Sequence, residues 1–234
     1  MTLPFTASPL HVVLRYAIAL VFGFYVLRQV RKPDRGIGRL FLWLMNISHS
    51  RLTDWGLNHI RVGEEFTILD VGCGGGRTIQ KLAAAAPRGT IYGIDYASGS
   101  VAASRAKNRA LIKAGRVQVE KASVSQLPFP ADTFDLVTAV ETQYYWPDLV
   151  KDMQEILRTL KPGRVLAIIA ESYKGGGALS AAQRPVMKLL NSSSLGVQDQ
   201  RELFARAGYE DVQVLEERSK GWICVLGRKP VRQR

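Results

Sequence analysis

The chain has 234 residues, which is enough for one α/β domain with a full core, and its formal net charge is +12. The excess charge lies at the two ends: residues 1–40 hold six basic residues and one acidic residue, residues 218–234 hold six basic residues and no acidic ones, and the body between them is nearly neutral. This distribution argues against a basic nucleic-acid-binding groove and indicates that the two ends meet an anionic surface, such as a membrane.

The first predicted element is an apolar segment at residues 10–30. Its uninterrupted part, residues 16–27, has twelve uncharged residues, whereas a membrane-spanning helix needs about 20. Basic residues follow at 28–39, which favours a cytoplasmic position for the domain that follows them. The segment predicts a membrane anchor or an interfacial helix, with a lid helix packed on the domain as the alternative; a removable signal peptide is the weaker interpretation.

The charge and hydropathy pattern divides the chain into three parts. Residues 1–39 form the hydrophobic helix and basic linker, residues 40–228 form one α/β domain, and residues 229–234 form a basic tail. Two short helices are predicted at 40–60, separated by a break at His49 and its neighbouring serines. His49 is a candidate pocket residue or proton acceptor, although a lone histidine at such a break also serves as a helix cap or a packed core group.

A glycine-rich loop lies at the centre of the domain. Residues 66–76 read FTILDVGCGGG, which predicts a buried strand, a tight loop and then a helix that begins near Arg77. The charged end of a ligand would meet the N-terminus of that helix. Gly72, Gly74 and Gly76 are spaced G-x-G-x-G behind the acidic Asp70, whereas the dinucleotide fingerprint is G-x-G-x-x-G. The loop therefore predicts a cofactor site that differs from that of a dehydrogenase.

A second apolar strand, at residues 91–95, ends in Asp95 and is followed by Tyr96. A carboxylate at this tip is placed to accept both ribose hydroxyls of an adenosine. Together, LDVGCGGG at 69–76 and GID at 93–95 resemble the first two motifs of class I S-adenosylmethionine (SAM) methyltransferases, in particular the small-molecule enzymes of the ubiquinone and menaquinone biosynthesis type. The resemblance spans roughly residues 45–228.

The resemblance implies a Rossmann-like fold with a seven-stranded, mostly parallel sheet, an antiparallel last strand and an N-terminal helical extension. It implies SAM as the cofactor and Asp70 as the group that holds its methionine amino group, directly or through water. The loop after the third strand ends in LPF at 127–129, similar to the family's adenine loop, with Ser123 in place of the usual acid. The implied cofactor residues are Asp70, Gly72, Cys73, Gly74, Gly76, Asp95, Tyr96, Ser123, Val124 and Glu141.

The predicted fourth strand ends at Glu141 and Thr142, close to where the methyl group would be offered, because ligands lie beyond the carboxyl ends of parallel strands. An aromatic segment, QYYWP at 143–147, resembles the family's motif after this strand. Its rings either wall an apolar acceptor or a methylsulfonium, or pack the next helix against the sheet. The segment 172–196, with three successive glycines near its start, predicts either an acceptor lid or a surface loop.

Methyl transfer from a sulfonium is an in-line displacement, so the protein mainly aligns the reactants and excludes water. An oxygen or carbon acceptor must also lose a proton, and Glu141 and Glu171 are the first candidate bases, followed by His49 and Tyr144. The two cysteines have neither the number nor the spacing of a zinc site or a disulfide framework, so we expect no metal and a reduced, cytosol-facing compartment.

These observations predict a SAM-dependent methyltransferase that acts on a small, apolar or membrane-resident acceptor. The alternatives are a phospholipid headgroup N-methyltransferase, whose amine acceptor needs no base, and a non-catalytic SAM-binding partner protein. The expected partners are the small or lipid-like acceptor and an anionic membrane surface, with no nucleic acid, and no oligomeric state is predicted. The expected location is the membrane with the catalytic domain in the cytoplasm, or alternatively the soluble cytoplasm.

Overall fold

The computed structural model describes residues 50–171 and 195–231. The predicted anchor or lid at residues 10–30, His49 and most of the predicted insertion at 172–196 lie outside these ranges. Within the two described ranges, every helix is too short or too polar to cross a membrane.

The described residues form seven strands, six α-helices and one short 3-10 helix. The strands are β1 (Thr67–Val71), β2 (Thr90–Asp95), β3 (Val117–Lys121), β4 (Phe134–Val140), β5 (Leu160–Glu171), β6 (Glu210–Glu217) and β7 (Trp222–Arg228). The α-helices are α1 (Ser50–Leu57), α2 (Arg77–Ala85), α3 (Ser98–Lys107), α4 (Arg109–Lys113), α5 (Leu149–Thr159) and α6 (Val197–Arg206), and the 3-10 helix is Gln143–Tyr145.

The strands pair in the order β3-β2-β1-β4-β5-β7-β6. Strands β1 to β5 are parallel to one another, whereas β7 is antiparallel to both β5 and β6. This confirms the predicted Rossmann-like sheet with an antiparallel last strand. Because the parallel strands share one direction, the ends of β1, β2, β4 and β5 meet at one edge of the sheet, where the order of the strands reverses.

Helices cover both faces of the sheet. On one face, α5 and α6 pack through residues such as Met153, Ile156 and Phe204. On the other face, α2 packs through Ile79 and Leu82, and α1 covers the β5–β7 side. The central strands are buried along almost their whole length, as the continuous apolar runs predict for parallel strands.

Two local features interrupt the regular elements. The chain between β2 and β3 forms two helices, because it breaks at Asn108, which has φ −102° and ψ 17° and separates α3 from α4. Helix α3 begins after Ala97 without a side-chain cap. Residues 161–164 form a bulged part of β5: Leu160 pairs with Phe134 and Val165 with Leu136, while Gly163 takes a φ of +74°.

Ion pairs around Asp135 stabilise the opposite edge of the sheet, where the parallel strands begin. Asp135 Oδ2 accepts hydrogen bonds from the backbone N–H of Thr67 at 3.0 Å and from Lys161 Nζ at 2.9 Å. Arg164 lies 3.3 Å from Oδ1 and places its guanidinium over the ring of Phe66, 4.7 Å from the centroid. Arg164 therefore stabilises this edge and lies away from the strand tips at which a cofactor is expected.

The residue after β7 is bonded to the same end of the molecule. The backbone N–H of Lys229 donates to the Arg164 carbonyl at 2.8 Å. Its Nζ donates to the carbonyls of Leu160 at 2.6 Å and Arg158 at 3.2 Å, and to Asp132 Oδ1 at 2.6 Å. This single ammonium group satisfies carbonyls at the junction between α5 and β5.

Candidate functional site

The glycine loop joins β1 to α2 in a conformation that only glycine adopts easily. Gly72, Gly74 and Gly76 have φ values of +72°, +49° and +76°. A Cβ atom at Gly72 would lie 2.6 Å from Thr142 Oγ1, so this glycine also allows a close approach of the β4 tip. Among residues 50–171 and 195–231, a Cβ atom at Gly74 would meet only the Gly72 carbonyl, at 4.0 Å, so this part of the chain leaves open space beside the loop that a ligand can fill.

The loop is bonded to the end of β2. The N–H groups of Gly72 and Cys73 both donate to the Ile94 carbonyl, at 2.8 and 2.9 Å, and the Gly74 N–H donates to Asp95 Oδ2 at 3.0 Å. The Cys73 side chain is buried in the core and lies against Gly93, so only its backbone faces the loop. Burial and the charges of Asp70 and Asp95 raise the pKa of the Cys73 thiol well above its usual value. Cys73 is therefore a packed, unreactive thiol.

Asp70 lies at the end of β1 and is only 2% exposed. Its Oδ1 accepts a 2.8 Å hydrogen bond from the Thr138 hydroxyl on β4. Burial raises the pKa of the carboxyl to about 7, with a smaller contribution from Asp95, against the opposing effect of the Thr138 hydrogen bond. A cation in this place, such as the amino group of a methionine, would restore the ionised form, which fits the predicted role of Asp70.

Asp95 lies at the neighbouring tip of β2. Its Oδ1 accepts from the Ala97 N–H at 2.8 Å and its Oδ2 from the Gly74 N–H at 3.0 Å, which fixes the plane of the carboxylate. Burial raises the pKa of Asp95, and hydrogen bonds from the backbone of Ala97 and Gly74 and from Ser100 oppose this shift. Each carboxylate oxygen retains further acceptor capacity for a ribose hydroxyl. Tyr96 beside it is 45% exposed and offers a ring at the same tip.

The predicted adenine loop follows β3. Ser123 bonds within the loop: its hydroxyl accepts from the Ser125 N–H at 3.2 Å, and its carbonyl accepts from the Gln126 N–H at 3.2 Å. The Val124 side chain is buried in the core beside Leu127. The ordinary turn chemistry of serine therefore shapes this loop without the family's usual acid.

Two residues of α5 that the sequence analysis missed hold this loop in place. Arg158 donates to the carbonyls of Phe129 at 2.8 Å and Leu127 at 3.3 Å. Glu155 accepts from the Leu127 N–H at 2.9 Å and pairs with Arg158 at 2.8 Å. The only sequence signal is an acid and a base three residues apart on a predicted helix, which is equally typical of an exposed surface pair.

Glu141, at the tip of β4, has a strained backbone and a fixed side chain. Its φ is +58°, which is unusual for a residue with a side chain, and its N–H donates to the Ile169 carbonyl at 2.9 Å. Its Oε1 accepts from the Glu171 N–H at 2.5 Å and lies 3.1 Å from the Tyr144 hydroxyl. The carboxylate therefore joins the carboxyl ends of β4 and β5.

Tyr144 completes this cluster from the 3-10 helix. Its hydroxyl contacts both Glu141 Oε1 and the Glu171 carbonyl. Burial, together with the charge of Glu141, raises the pKa of Tyr144 well above its usual value. Tyr144 therefore stays protonated at neutral pH, where it donates a hydrogen bond and does not accept a proton.

The aromatic segment after β4 packs mainly inward. Tyr144 and Trp146 belong to the core that α5 and α6 cover, and Tyr145 packs against that core. Trp146 Nε1 donates to Thr142 Oγ1 at 2.9 Å, and Thr142 in turn lies against Gly72. Of the two predicted roles, the structure supports packing of the segment against the sheet for Tyr144 and Trp146.

A different group of rings lies on the α1 side of the strand ends. We call Trp55, His59 and Trp222 the aromatic shelf. Trp55 lies 4.9 Å from His59 and 5.9 Å from Trp222 between ring centroids. Trp222 is directly opposite Glu171 in the β5–β7 pair. Both tryptophans, like Val140 near the tip of β4, pack against a buried cluster of Leu52, Ile169 and Cys224. Sequence patterns do not reveal this shelf, because Trp222 is more than 160 residues away from Trp55 and His59 along the chain.

The structure thus brings Asp70, the glycine loop, Asp95 and Glu141 to neighbouring strand tips, and Glu171 to the next one. The residues fit SAM: Asp70 would face its amino group, Asp95 its ribose, and the open loop at Gly74 the sulfur-bearing part between them. His49 lies outside the described residues.

Comparison with known proteins agrees with this geometry. Residues 68–163 match the profile of a family described as a methyltransferase domain. The chain is 26% identical over 192 residues to an uncharacterized methyltransferase of Bacillus subtilis, YdaC, and the match covers 80% of this chain and 97% of that protein. It is 38% identical over 105 residues to the ubiquinone/menaquinone biosynthesis C-methyltransferase UbiE of Geobacter sulfurreducens, covering 44% of this chain and 41% of that relative, so the match spans less than half of its length.

Among solved structures, a complex between the Haloferax volcanii Trm112 methyltransferase activator and a methyltransferase contains a similar fold. The TM-score is 0.69 at 20% identity, covering 81% of this chain and 94% of the other. The chain thus carries a methyltransferase domain at residues 68–163, and these matches support SAM as the cofactor and methyl transfer as the reaction.

Proposed function

We propose that the enzyme methylates a small, apolar, lipid-like acceptor that binds over the carboxyl ends of β4 and β5. The observation that carries this proposal is the aromatic shelf beside Glu171. Trp222 lies opposite the candidate base Glu171, and Trp55 lies beside Trp222, 5.9 Å away between ring centroids. Partly buried aromatic rings such as these bind flat apolar molecules well. An acceptor that rests on the shelf would have Glu141 and Glu171 along its polar edge.

One relative supports the same class of acceptor. UbiE of Geobacter sulfurreducens is named for ubiquinone and menaquinone biosynthesis, and quinone precursors are aromatic molecules with long apolar tails. The predicted N-terminal anchor at residues 10–30 agrees with an acceptor that resides in a membrane. We therefore propose that the enzyme works at the cytoplasmic membrane surface.

The residues at the strand tips suggest which steps the cofactor provides and which the protein provides. SAM supplies an already activated methyl group, so the protein needs to orient the acceptor, exclude water and remove a proton. Glu141 is the preferred base, because its carboxylate is fixed by the Glu171 N–H and the Tyr144 hydroxyl. Tyr144 holds Glu141 in one orientation as a hydrogen-bond donor.

The acceptor class is tested with isotopically labelled SAM. The enzyme is incubated with a membrane-lipid extract and, separately, with a water-soluble extract of the same cells. We expect labelled product only in the organic phase, and its identification by mass spectrometry gives the acceptor. Label confined to a water-soluble product would overturn the proposal. The membrane location is tested by fractionation of the chain with and without residues 1–33, and a full-length chain that stays soluble without detergent would contradict it.

A further inference from the structure

The end of the glycine loop rests against α3 and the residue that follows it. A Cβ atom at Gly76 would lie 2.4 Å from both Asn108 Nδ2 and Ser104 Oγ. Ser104 and Asn108 are four residues apart on one face of the helix and are almost completely buried, with exposures of 0% and 1%. The glycine at position 76 therefore serves a close contact with these two side chains as well as a positive φ.

Asn108 holds the loop through its amide group. Its Nδ2 donates to the Gly76 carbonyl at 3.0 Å and to the Ser104 carbonyl at 2.9 Å, so its two N–H hydrogens match two carbonyls. Its Oδ1 is buried and lacks a hydrogen-bond partner within the described part of the chain. A buried amide oxygen without a partner costs free energy. The two N–H hydrogens of the amide, and not its oxygen, are therefore what Asn108 contributes to the loop.

We propose that Asn108 is a positioning residue for the cofactor, which sets the affinity for the amino-acid half of SAM by holding the Gly76 carbonyl. Gly76 is the N-cap of α2, so its position determines the direction of the first N–H groups of that helix. Such N–H groups bind the anionic end of a ligand, and the anionic group of SAM is its carboxylate.

The same helix also reaches the ribose side of the site. At the start of α3, the Ala97 N–H donates to Asp95 at 2.8 Å, and Asp95 in turn accepts from Gly74. At the end of α3, Asn108 holds Gly76. The glycine loop is thus bonded to both ends of one helix, which fixes the distance between the ribose-binding carboxylate and the N-terminus of α2.

Calorimetric titration of the full chain with two ligands tests this role. S-adenosylhomocysteine carries the amino-acid half, whereas 5′-methylthioadenosine has the same nucleoside and sulfur without it. For Asn108→Ala and for Asn108→Leu, which retains the size but not the donor, we expect about tenfold weaker binding of S-adenosylhomocysteine and less than about twofold weaker binding of methylthioadenosine.

Two matched variants separate positioning from general loss of stability. Ser104→Ala changes a side chain that packs against the same glycine, Gly76, but does not hydrogen-bond to its carbonyl. Thr159→Val removes a buried hydrogen bond, 2.9 Å to the Ile156 carbonyl, at the far end of α5. Both should bind S-adenosylhomocysteine within about twofold of the parent at a temperature below all unfolding midpoints. Unchanged binding in the Asn108 variants, equal losses for both ligands, or an equal loss in Thr159→Val would each overturn the proposal.

Discussion

Thr138 donates a 2.8 Å hydrogen bond to Asp70, and both side chains are buried between the central strands β1 and β4. This hydrogen bond stabilises the ionised carboxylate, but burial has the larger and opposite effect, so the pKa of Asp70 is raised to about 7. The free enzyme therefore holds a carboxyl group that changes its charge near neutral pH, at the place where the cofactor's cation is expected.

The stability of the free enzyme should fall as the pH rises from about 4 to about 7. The folded state keeps Asp70 protonated up to about 7, whereas the unfolded chain ionises it near 3.8, so the folded state binds more protons in this window. The loss amounts to about 4 kcal/mol at most. Urea unfolding from pH 4 to pH 8 should show that Asp70→Asn flattens this slope, while the raised pKa of Asp95 still contributes a slope of the same sign. Parallel curves for the two proteins would contradict the raised pKa.

Cofactor binding should show the opposite dependence on pH. The ammonium group of SAM favours ionised Asp70, so below about pH 7 binding must first remove a proton, and the affinity should fall up to tenfold per pH unit. Calorimetry at pH 6 in two buffers of different ionisation enthalpy should detect the release of close to one proton per SAM bound. Asp70→Asn should bind weakly and release none.

Two glycines of the loop should respond differently to alanine. Within the described part of the chain, Gly74→Ala has room for its methyl group, so it should cost about 1 kcal/mol of unfolding free energy from the strain of the positive φ. The methyl group would, however, enter the space proposed for the cofactor. Gly72→Ala collides with Thr142 and should lower stability by more. Thermal unfolding and S-adenosylhomocysteine titration should therefore show a binding defect without a large stability defect only in Gly74→Ala.

Arg158→Ala should weaken adenosine binding although the residue lies on α5. The variant loses the bonds to Leu127 and Phe129 that hold the adenine loop, and about five- to tenfold weaker binding of both S-adenosylhomocysteine and methylthioadenosine is expected. Arg88→Ala is the control, because Arg88 forms an exposed pair with Glu65 and contributes little. Equal affinities in the two variants would show that the loop keeps its shape without Arg158.

Glu141→Gln should distinguish the kinds of acceptor. Glutamine retains an oxygen that accepts from Glu171 and Tyr144, so the fold of the strand tips is preserved while the negative charge is lost. If the acceptor must lose a proton, turnover should fall about 100-fold or more at unchanged SAM affinity. Unchanged turnover would point to an amine acceptor, such as a phospholipid headgroup, or to an aligned carbon.

The cofactor half of the site was predictable because its residues are close in sequence to the strands that carry them. Asp70, the three spaced glycines and Asp95 each follow an apolar run, and parallel strands bring such ends together. Asn108, Arg158 and the aromatic shelf were not predictable. Their roles depend on which distant backbone they meet, and in the sequence they are an ordinary helix residue, a surface base and scattered rings.

The bonds of Lys229 have a consequence for how this protein is engineered. Its Nζ binds the carbonyl of Arg158, whose guanidinium holds the adenine loop. A purification tag fused directly after Arg228 would replace this lysine and loosen the carbonyls at the start of β5, whereas a tag joined after Val231 would keep the bond. Replacement of Lys229 by a tag would then lower the affinity for adenosine, although the two places lie at opposite edges of the sheet.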